Sequence, residues 1–407
     1  RKVMTMAVDK QDKVLNVPTL RFPEFSGEYI ATRIGKLTNK VGSGVTPKGG
    51  EGVYTTEGHP FVRSQNVGNG QMFLDEIAYI DDATHCKQSA TEIQNGDVLL
   101  NITGASIGRC CVAANFVVGG NVNQHVCIVR PTQDILPYYL CCLLLSDKGK
   151  KQIDSFQAGG NRQGLNFEQI KSFKFSIPTL PEQMKVSKLL ALVDELITTQ
   201  IRIIEDFKSL SDVICERLYT PSEKESWQTY KYTDLFSVSN ERNSKLQYTN
   251  VLSASQEYGM IERNELNIDI KFEASSITNY KIVRPNQYVI HLRSFQGGFA
   301  YSEKTGVCSP AYTILVPNEK LSTAFLKYYF ISKKFIDSLR IVTYGIRDGR
   351  SISVEEFLQL KVAIPDITRQ QNVVRVMQLW EEKIRTEEEY LSKLQQQKKY
   401  LLTSMFI

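Results

Sequence analysis

Phe175-Ser176-Ile177-Pro178-Thr179-Leu180-Pro181-Glu182-Gln183 lies over Val362-Ala363-Ile364-Pro365-Asp366-Ile367-Thr368-Arg369-Gln370 at a constant offset of 187. Pro178 and Gln183 recur as Pro365 and Gln370. Just upstream, Gly164 to Ile170 lies over Ser351 to Phe357, and a Gly/Arg-rich turn precedes each copy. Further back, Asn95 to Leu100 followed by Gly108 matches Pro285 to Ile290 followed by Gly298, with the offset drifting to 190 as loop insertions require. A period this long is not that of a stacked solenoid; it marks two similar domains in tandem, related by a pseudo-twofold.

Each copy runs into a long helix. Between Pro181 and Pro221, and again after Pro365, no proline or glycine interrupts the chain. Two helices of roughly 38 to 40 residues follow, each about 57 Å long at 1.5 Å per residue. In the first, Val186, Leu189, Val193, Leu196, Gln200, Ile203, Phe207, Leu210, Ile214 and Leu218 recur at alternating spacings of three and four, closing with a further four. In the second, Val373, Met377, Trp380, Ile384, Glu387, Leu391, Leu394, Lys398, Leu401 and Met405 alternate in the same way throughout. Seams this narrow, flanked by Lys, Glu and Gln, predict a coiled-coil pair rather than helices packed only on their own domains. The polar seam residues Gln200 and Glu387 share a repeat position near mid-helix and are expected to meet at the centre of an antiparallel pair. Such a spacer carries one globular domain at each end. Half-sites on one face of B-DNA recur about every 34 to 36 Å, within reach of that rod.

Composition narrows the function. A chain of 407 residues with 42% hydrophobic content accommodates two cored domains plus the helices. The expected division is a disordered or appended stretch over residues 1–16, globular domains over 17–180 and 221–366, and helices over 181–220 and 367–407. No run approaches 18 apolar residues and no signal-peptide pattern opens the chain. The eight cysteines include the adjacent pairs Cys110-Cys111 and Cys141-Cys142 but no Cys-x-x-Cys, which argues for reduced thiols in a cytoplasmic protein and against zinc. A net charge of +5 is low for a protein gripping DNA alone, so the charge is expected to be focused on one face and complemented by a partner.

Catalytic patterns are missing. There is no Pro-Pro dipeptide for an amino-methyltransferase motif, Gly42-Ser43-Gly44 and Gly68-Asn69-Gly70 lack the third glycine of a dinucleotide loop, and no Walker loop is present. His59, His85, His125 and His291 stand apart from carboxylate or cysteine partners at any recognisable spacing.

Five segments together carry a family resemblance: Pro18-Thr19-Leu20-Arg21-Phe22-Pro23-Glu24-Phe25, Gly44-Val45-Thr46-Pro47, Asn101 to Gly108, the Ile-Pro-x-Leu-Pro-Glu-Gln helix start, and Leu252-Ser253-Ala254-Ser255-Gln256. Over essentially everything after residue 17 the chain resembles the specificity subunit of type I restriction-modification systems. The resemblance implies an α+β fold with two tandem target-recognition domains separated by two long antiparallel helices. Each domain would read one half of a split, asymmetric DNA site. It implies no catalysis and no cofactor in this chain. Two modification subunits would carry S-adenosylmethionine and methylate adenine, restriction subunits using ATP and magnesium would join, and the assembly would work in a bacterial or archaeal cytoplasm. The second copy departs from the pattern at Ile367-Thr368-Arg369 and lacks Gly-x-Thr-Pro, which leaves its partner contacts the less defined.

Strand-like runs at Asp97 to Ile102, Val126 to Arg130, Tyr288 to Arg293 and Tyr312 to Val316 are bounded by polar loops. Base edges in the major groove call for Arg, Lys, Asn, Gln or Ser at loop tips. In the first domain these are Lys40, Ser43, Thr46, Arg63, Gln65, Asn66, Thr103, Ser106, Arg109, Asn123, Gln124 and Arg162. In the second they are Arg242, Asn243, Lys245, Ser255, Gln256, Tyr258, Arg293, Gln296, Tyr312, Arg347 and Arg350. Each could equally be a turn former; Thr46 could shape the loop before Pro47, and Asn123 could cap a strand end. The Gly/Arg-rich turns at Arg162 and Arg347 to Arg350 stand out because they recur beside the helix starts. Two other classes stay open: a coiled-coil adaptor whose domains bind proteins, and a stand-alone DNA methyltransferase or nuclease.

Overall fold

The computed structural model describes residues 16–47, 49–157, 164–255, 258–263, 274–291, 298–339, 343–344 and 351–407. The chain divides into two compact units, residues 1–201 with 389–407 and residues 202–388. Each long helix contributes to both.

The first unit begins with strand β1 (Ile30–Arg33), β2 (Thr38–Ser43), β3 (His59–Val62) and β4 (Ala78–Ile80), then helix α1 (Asp82–Lys87). Strands β5 (Val98–Asn101), β6 (Cys110–Val112), β7 (Asn121–Val122) and β8 (Val126–Pro131) follow, then α2 (Pro137–Leu145), α3 (Asp147–Gln157) and α4 (Phe167–Ser172). Strand β9 (Lys174–Ile177) leads into α5 (Leu180–Leu218). Antiparallel pairing gives a four-stranded sheet in the order β2-β8-β5-β6, beside β4-β3-β7 and the ribbon β1-β9. The continuous apolar run Val98-Leu99-Leu100 is buried on both faces, as a central strand should be. Asp97 at its head is fully buried and accepts from Arg130 Nε at 2.7 Å and Nη2 at 2.9 Å, so this buried carboxylate is paired.

The second unit repeats the plan. It contains β10 (Gln228–Lys231), β11 (Phe236–Ser239), β12 (Leu252–Ser255), β13 (Gly259–Glu262), β14 (Lys281–Val283), β15 (Tyr288–Ile290), β16 (Phe299–Tyr301), β17 (Gly306–Cys308) and β18 (Thr313–Pro317). Then come α6 (Phe325–Tyr329), α7 (Lys333–Ser338), β19 (Thr343–Tyr344), β20 (Ser351–Ile352), α8 (Val354–Gln359), β21 (Lys361–Ile364) and α9 (Ile367–Ser404). Its four-stranded sheet has the order β11-β18-β15-β16, which is the first sheet's topology, and β10-β21 stands where β1-β9 does.

The recurring Gln explains the recurring motif. Gln183 is 1% exposed; its Nε2 donates to the Asp134 carbonyl at 3.1 Å and the Pro178 carbonyl at 3.0 Å, and its Oε1 accepts from Leu136 N at 3.0 Å. Gln370, equally buried, repeats this with Lys320 O and Pro365 O at 2.9 Å and Ser322 N at 2.8 Å. One neutral amide thus ties each long helix to the loop that opens an earlier helix of its domain, α2 in the first unit and α6 in the second. The Arg21–Glu182 bond then docks the Pro18–Phe25 segment on the start of α5, with Nε and Nη2 each 2.8 Å from the carboxylate and Tyr29 donating to Oε1 at 2.8 Å. In the second unit the same helix position is Arg369, and its partner Glu225 lies in the segment ahead of β10 at 3.1 Å. The departure from the sequence pattern at Arg369 is therefore a reversal of polarity, not a lost contact.

Within the first unit, Val186, Leu190 and Val193 of α5 share a core with Leu401, Leu402 and Met405 at the end of α9, and Lys398 Nζ lies 2.5 Å from Asp194. Within the second, Cys215 clusters with Val373, Val374 and Met377, Phe207 meets Trp380, and Lys208 pairs with Glu388 at 2.7 Å. In the first unit early residues of α5 meet late residues of α9, and in the second late residues of α5 meet early residues of α9, an antiparallel order. The expected seam of α9 is buried or half-buried throughout. That of α5 needs correction: Leu196 and Leu210 are 50% and 44% exposed, and Leu190, Ile204 and Cys215 are buried instead. Gln200 is buried at 5%, while Glu387 pairs with Lys383 on its own helix.

Candidate nucleic-acid interface

Strand register decides which predicted residues meet. Ser43 ends β2 opposite Cys127, and Asn101 ends β5 opposite Val126, so the loops after β2 and β5 and the loop before β8 all emerge at one end of the sheet. Strand β7 runs parallel to β3, and Asn123 N donates to Val62 O at 3.0 Å, which brings the turn after β3 to the same end. Ser43, Thr46, Arg63, Gln65, Asn66, Thr103, Ser106, Arg109, Asn123 and Gln124 are gathered there. Lys40 is not: it pairs with Arg130 further down the ladder, and its ammonium donates to Ala90 O. Burial, and then the neighbouring Arg130, lower its pKa.

A chain of polar groups crosses this end. Gln124 Oε1 accepts from Thr46 N at 2.8 Å and from the Thr46 hydroxyl, which orients its amide so that Nε2 faces His125 Nε2 at 3.1 Å. With that nitrogen accepting, His125 Nδ1–H donates to Thr103 Oγ1 at 2.6 Å. His125, an isolated histidine by sequence spacing, therefore links Thr103 and Gln124 directly and Thr46 through Gln124. Its signal was adjacency to Asn123-Gln124. Gly44 is required here by space: a Cβ would fall 1.6 Å from the Val122 carbonyl oxygen, which accounts for the Gly of Gly-x-Thr-Pro.

Two asparagines of the set are loop closers. Asn66, 1% exposed, accepts from Arg63 N at 3.0 Å and donates to Phe73 O at 3.1 Å; Asn243, fully buried, donates to Tyr248 O at 2.7 Å and accepts from Tyr248 N at 3.2 Å. Asn123, 7% exposed, accepts from His125 N at 3.0 Å, the capping role weighed for it. Gln65, Arg109 and Gln124 are exposed, and Ser43, Thr46, Thr103 and Ser106 half-exposed. Arg63 lies over the Tyr54 ring at 5.5 Å and donates to Glu76 O at 3.0 Å, so its guanidinium is held in place.

In the second unit Ser239 pairs with Ile314 and Ile290 with Thr313, again placing the loops after β11 and β15 at the end where β18 begins. Arg242 and Lys245 are exposed on the first of these loops. Tyr312 is half-buried just before β18; its carbonyl accepts from Lys281 at 2.7 Å and burial raises its phenol pKa. Ser255 Oγ accepts from Tyr258 N at 3.2 Å in the β12–β13 hairpin, and the Tyr258 ring is 66% exposed. Arg162, Gln256, Arg293, Gln296, Arg347 and Arg350 lie outside the described residues.

The other histidines are not as isolated as their spacing suggested. His59 Nε2 is 2.8 Å from Asp82 and its ring stacks on His85 at 3.7 Å, while His85 Nδ1 bonds Asn121 at 2.7 Å. Among the described residues no three His, Cys, Asp or Glu side chains are grouped to hold a metal ion, and no helix is long and apolar enough to cross a membrane.

Known proteins share this arrangement. The family described as type I restriction modification DNA specificity domain matches residues 31–206 and again 224–396. A Methanocaldococcus jannaschii protein named as a type I restriction enzyme MjaX specificity subunit is 26% identical over 171 residues, 40% of this chain and 39% of that relative. The chain thus matches about two fifths of that relative's length. A chain from a structure describing complex assembly and conformational transition of the type I R-M system superposes with a TM-score of 0.59 at 14% identity, over 92% of this chain and 96% of that one. The type I restriction-modification S subunit from M. genitalium gives 0.54 at 14% identity, over 96% and 99%. At such identity the likeness is one of fold.

Proposed function

The chain belongs to the family of type I restriction modification DNA specificity domains, and from that membership we propose that it selects the split DNA sequence on which a type I complex acts. The observation that carries this reading is the gathering of polar loop residues at one end of the sheet in the first unit, repeated by topology in the second. Thr46, Arg63, Gln65, Thr103, Arg109 and Gln124 would face one half-site; Arg242, Lys245 and Tyr258 would face the other, for which Arg347 and Arg350 are candidates by sequence. Side chains of these types match the donor and acceptor patterns of guanine and adenine in the major groove.

In this reading the chain does no chemistry. Two modification subunits bind along it and supply S-adenosylmethionine for adenine methylation, and restriction subunits bring ATP and magnesium. Domains of 17–180 and 221–366 act as exchangeable reading heads.

The test is mapping of methylated adenines in cells expressing this chain with its modification subunit. Two half-sequences that change independently when residues 17–180 or 221–366 are exchanged for those of another such chain are the expected result. A complex that forms but leaves no sequence motif would move the reading to the protein-binding adaptor. Methyl transfer or cutting by the purified chain alone would favour the enzyme.

A further inference from the structure

Building on the DNA-reading role above, we propose that each unit holds a second, sequence-independent contact for DNA phosphates beside the start of its long helix. The observation is a pair of like charges where a β-ladder disfavours them. Arg33 of β1 stands directly opposite Lys174 of β9, and Lys231 of β10 directly opposite Lys361 of β21. Opposed like charges destabilise an antiparallel pair, yet the arrangement occurs in both copies at the same register.

A third cation joins each pair. Ser146 and Ser332 occupy matching caps, accepting from Gly149 N and Phe335 N at 3.3 Å, and the second residue of the helix that follows is Lys148 in α3 and Lys334 in α7. In α3 this puts a cation at the positive end of the helix dipole, a second unfavourable placement. Lys148 lines an open cleft of about 610 Å³ with Arg33 and Lys174, and Lys334 lines a cavity of about 200 Å³ with Lys361. All six cations are exposed and none has an ion-pair partner among the described residues; Lys231 and Lys334 bond only the neutral Gln359 and Tyr219 carbonyl groups. A chain with 44 acidic against 49 basic residues had carboxylates enough to neutralise them. An external anion explains why it did not.

Shape indicates which anion. The first cleft is open and four of its nine lining residues are cations, whereas the second is a third of its volume and walled by Tyr219, Trp227, Phe325 and Tyr329. The same protein partner docked twice would require two similar surfaces; a phosphate backbone requires only the charge. The cluster also lies at the end of β2 away from the reading loops, and the six residues of that strand span about 20 Å. A duplex that meets both would have to run along that strand, and the phosphates met by the cluster would then lie outside the half-site. Charge is not copied at every point: Lys36 lines the first cleft, while Asp234 follows β10 and accepts from Lys231 N at 2.9 Å. The first unit should contribute more.

The experiment uses the full chain assembled with its modification subunits, carrying Arg33→Gln, Lys148→Gln and Lys174→Gln together, or Lys231→Gln, Lys334→Gln and Lys361→Gln together. Affinity is measured against salt on a duplex limited to the recognised site and on the same duplex lengthened on both sides by unrelated sequence. On the long duplex the first variant should flatten the plot of log affinity against log salt by about 2 to 3, at roughly 0.9 per phosphate contact, and the second by less. Discrimination against mismatched sites and affinity for the short duplex should hold, and the melting temperature should stay or rise as repulsion is removed. Equal slopes on the long duplex, a lowered melting temperature, or a loss confined to assembly with the modification subunit would each overturn the proposal; the last would mark a protein-docking surface. An unmutated complex with no sequence preference would instead refute the reading role itself, and this proposal with it.

Discussion

Replacing Gln183 by Ala removes three hydrogen bonds from a site that is 1% exposed. Each such bond contributes about 1 kcal/mol net, and a backbone group left buried without a partner costs about 1 to 3 kcal/mol, so a loss of roughly 3 to 5 kcal/mol is expected. Gln183→Glu should be no milder, because it sets carboxylate oxygens against the Asp134 and Pro178 carbonyl oxygens where two N–H donors had been. The two tryptophans, Trp227 and Trp380, both lie in the second unit, which gives a probe for that unit alone. Chemical unfolding of Gln183→Ala should shift the far-ultraviolet circular dichroism transition more than the tryptophan fluorescence transition. Gln370→Ala should shift the fluorescence by a comparable free energy. A loss below about 1 kcal/mol in both variants would refute the clamp, because it would mean water replaces all three partners without cost.

Four further outcomes are expected. Arg130→Met strands the fully buried Asp97 carboxylate and should cost about 3 to 5 kcal/mol in denaturant unfolding, with Asp97→Asn in the same chain restoring part of it, since the neutral Gln287 serves at the matching place in the second unit. Burial pushes the thiols of Cys111, Cys127, Cys215 and Cys308 up to about 12, so below that pH they stay protonated, and native alkylation followed by mass spectrometry should label Cys86 alone among the eight. Cysteines placed at 200 and 387 should cross-link under mild oxidation if the helices pair as their seams propose; labelling of both as free thiols would reject that register. Arg347→Ala should weaken DNA binding by at least about 1 kcal/mol in the assembled complex, and unchanged affinity would remove it from the reading set.

The duplication was legible because its strongest marks are obligatory. Gln183 and Gln370 make equivalent sets of three bonds and cannot drift independently of the loops they hold, and the apolar runs around Val98 and Val289 are central strands of matching sheets. The seam of α9 was legible for the same reason. That of α5 was not fully so, because apolar residues come in adjacent pairs such as Leu189-Leu190 and Ile203-Ile204, and a straight helix drifts about 20° per heptad. Pattern alone could not choose the member facing the partner.

Side-chain type proved a weaker guide at the candidate interface than strand register. Asn66 and Asn243 suit adenine by their amides, but a short amide bonds its own loop backbone just as well, and both do so. Lys40 was chosen for its charge, yet its register puts it opposite Arg130 and away from the tips. His125 was passed over because its partners are remote in sequence: Thr103 is 22 residues away and reaches it only when β5 and β8 pair. These cases share one cause. A loop's composition states what it can bind, whereas the ladder beneath it decides which loops stand together and which polar groups remain free. The reversed ion pairs Arg21–Glu182 and Glu225–Arg369 follow the same logic at the helix starts. Sequence comparison of the two copies reads Arg369 as a departure. The fold shows the same contact with its charges exchanged, so that neither leading segment is complementary to the other's helix, and each recognition domain is directed to its own.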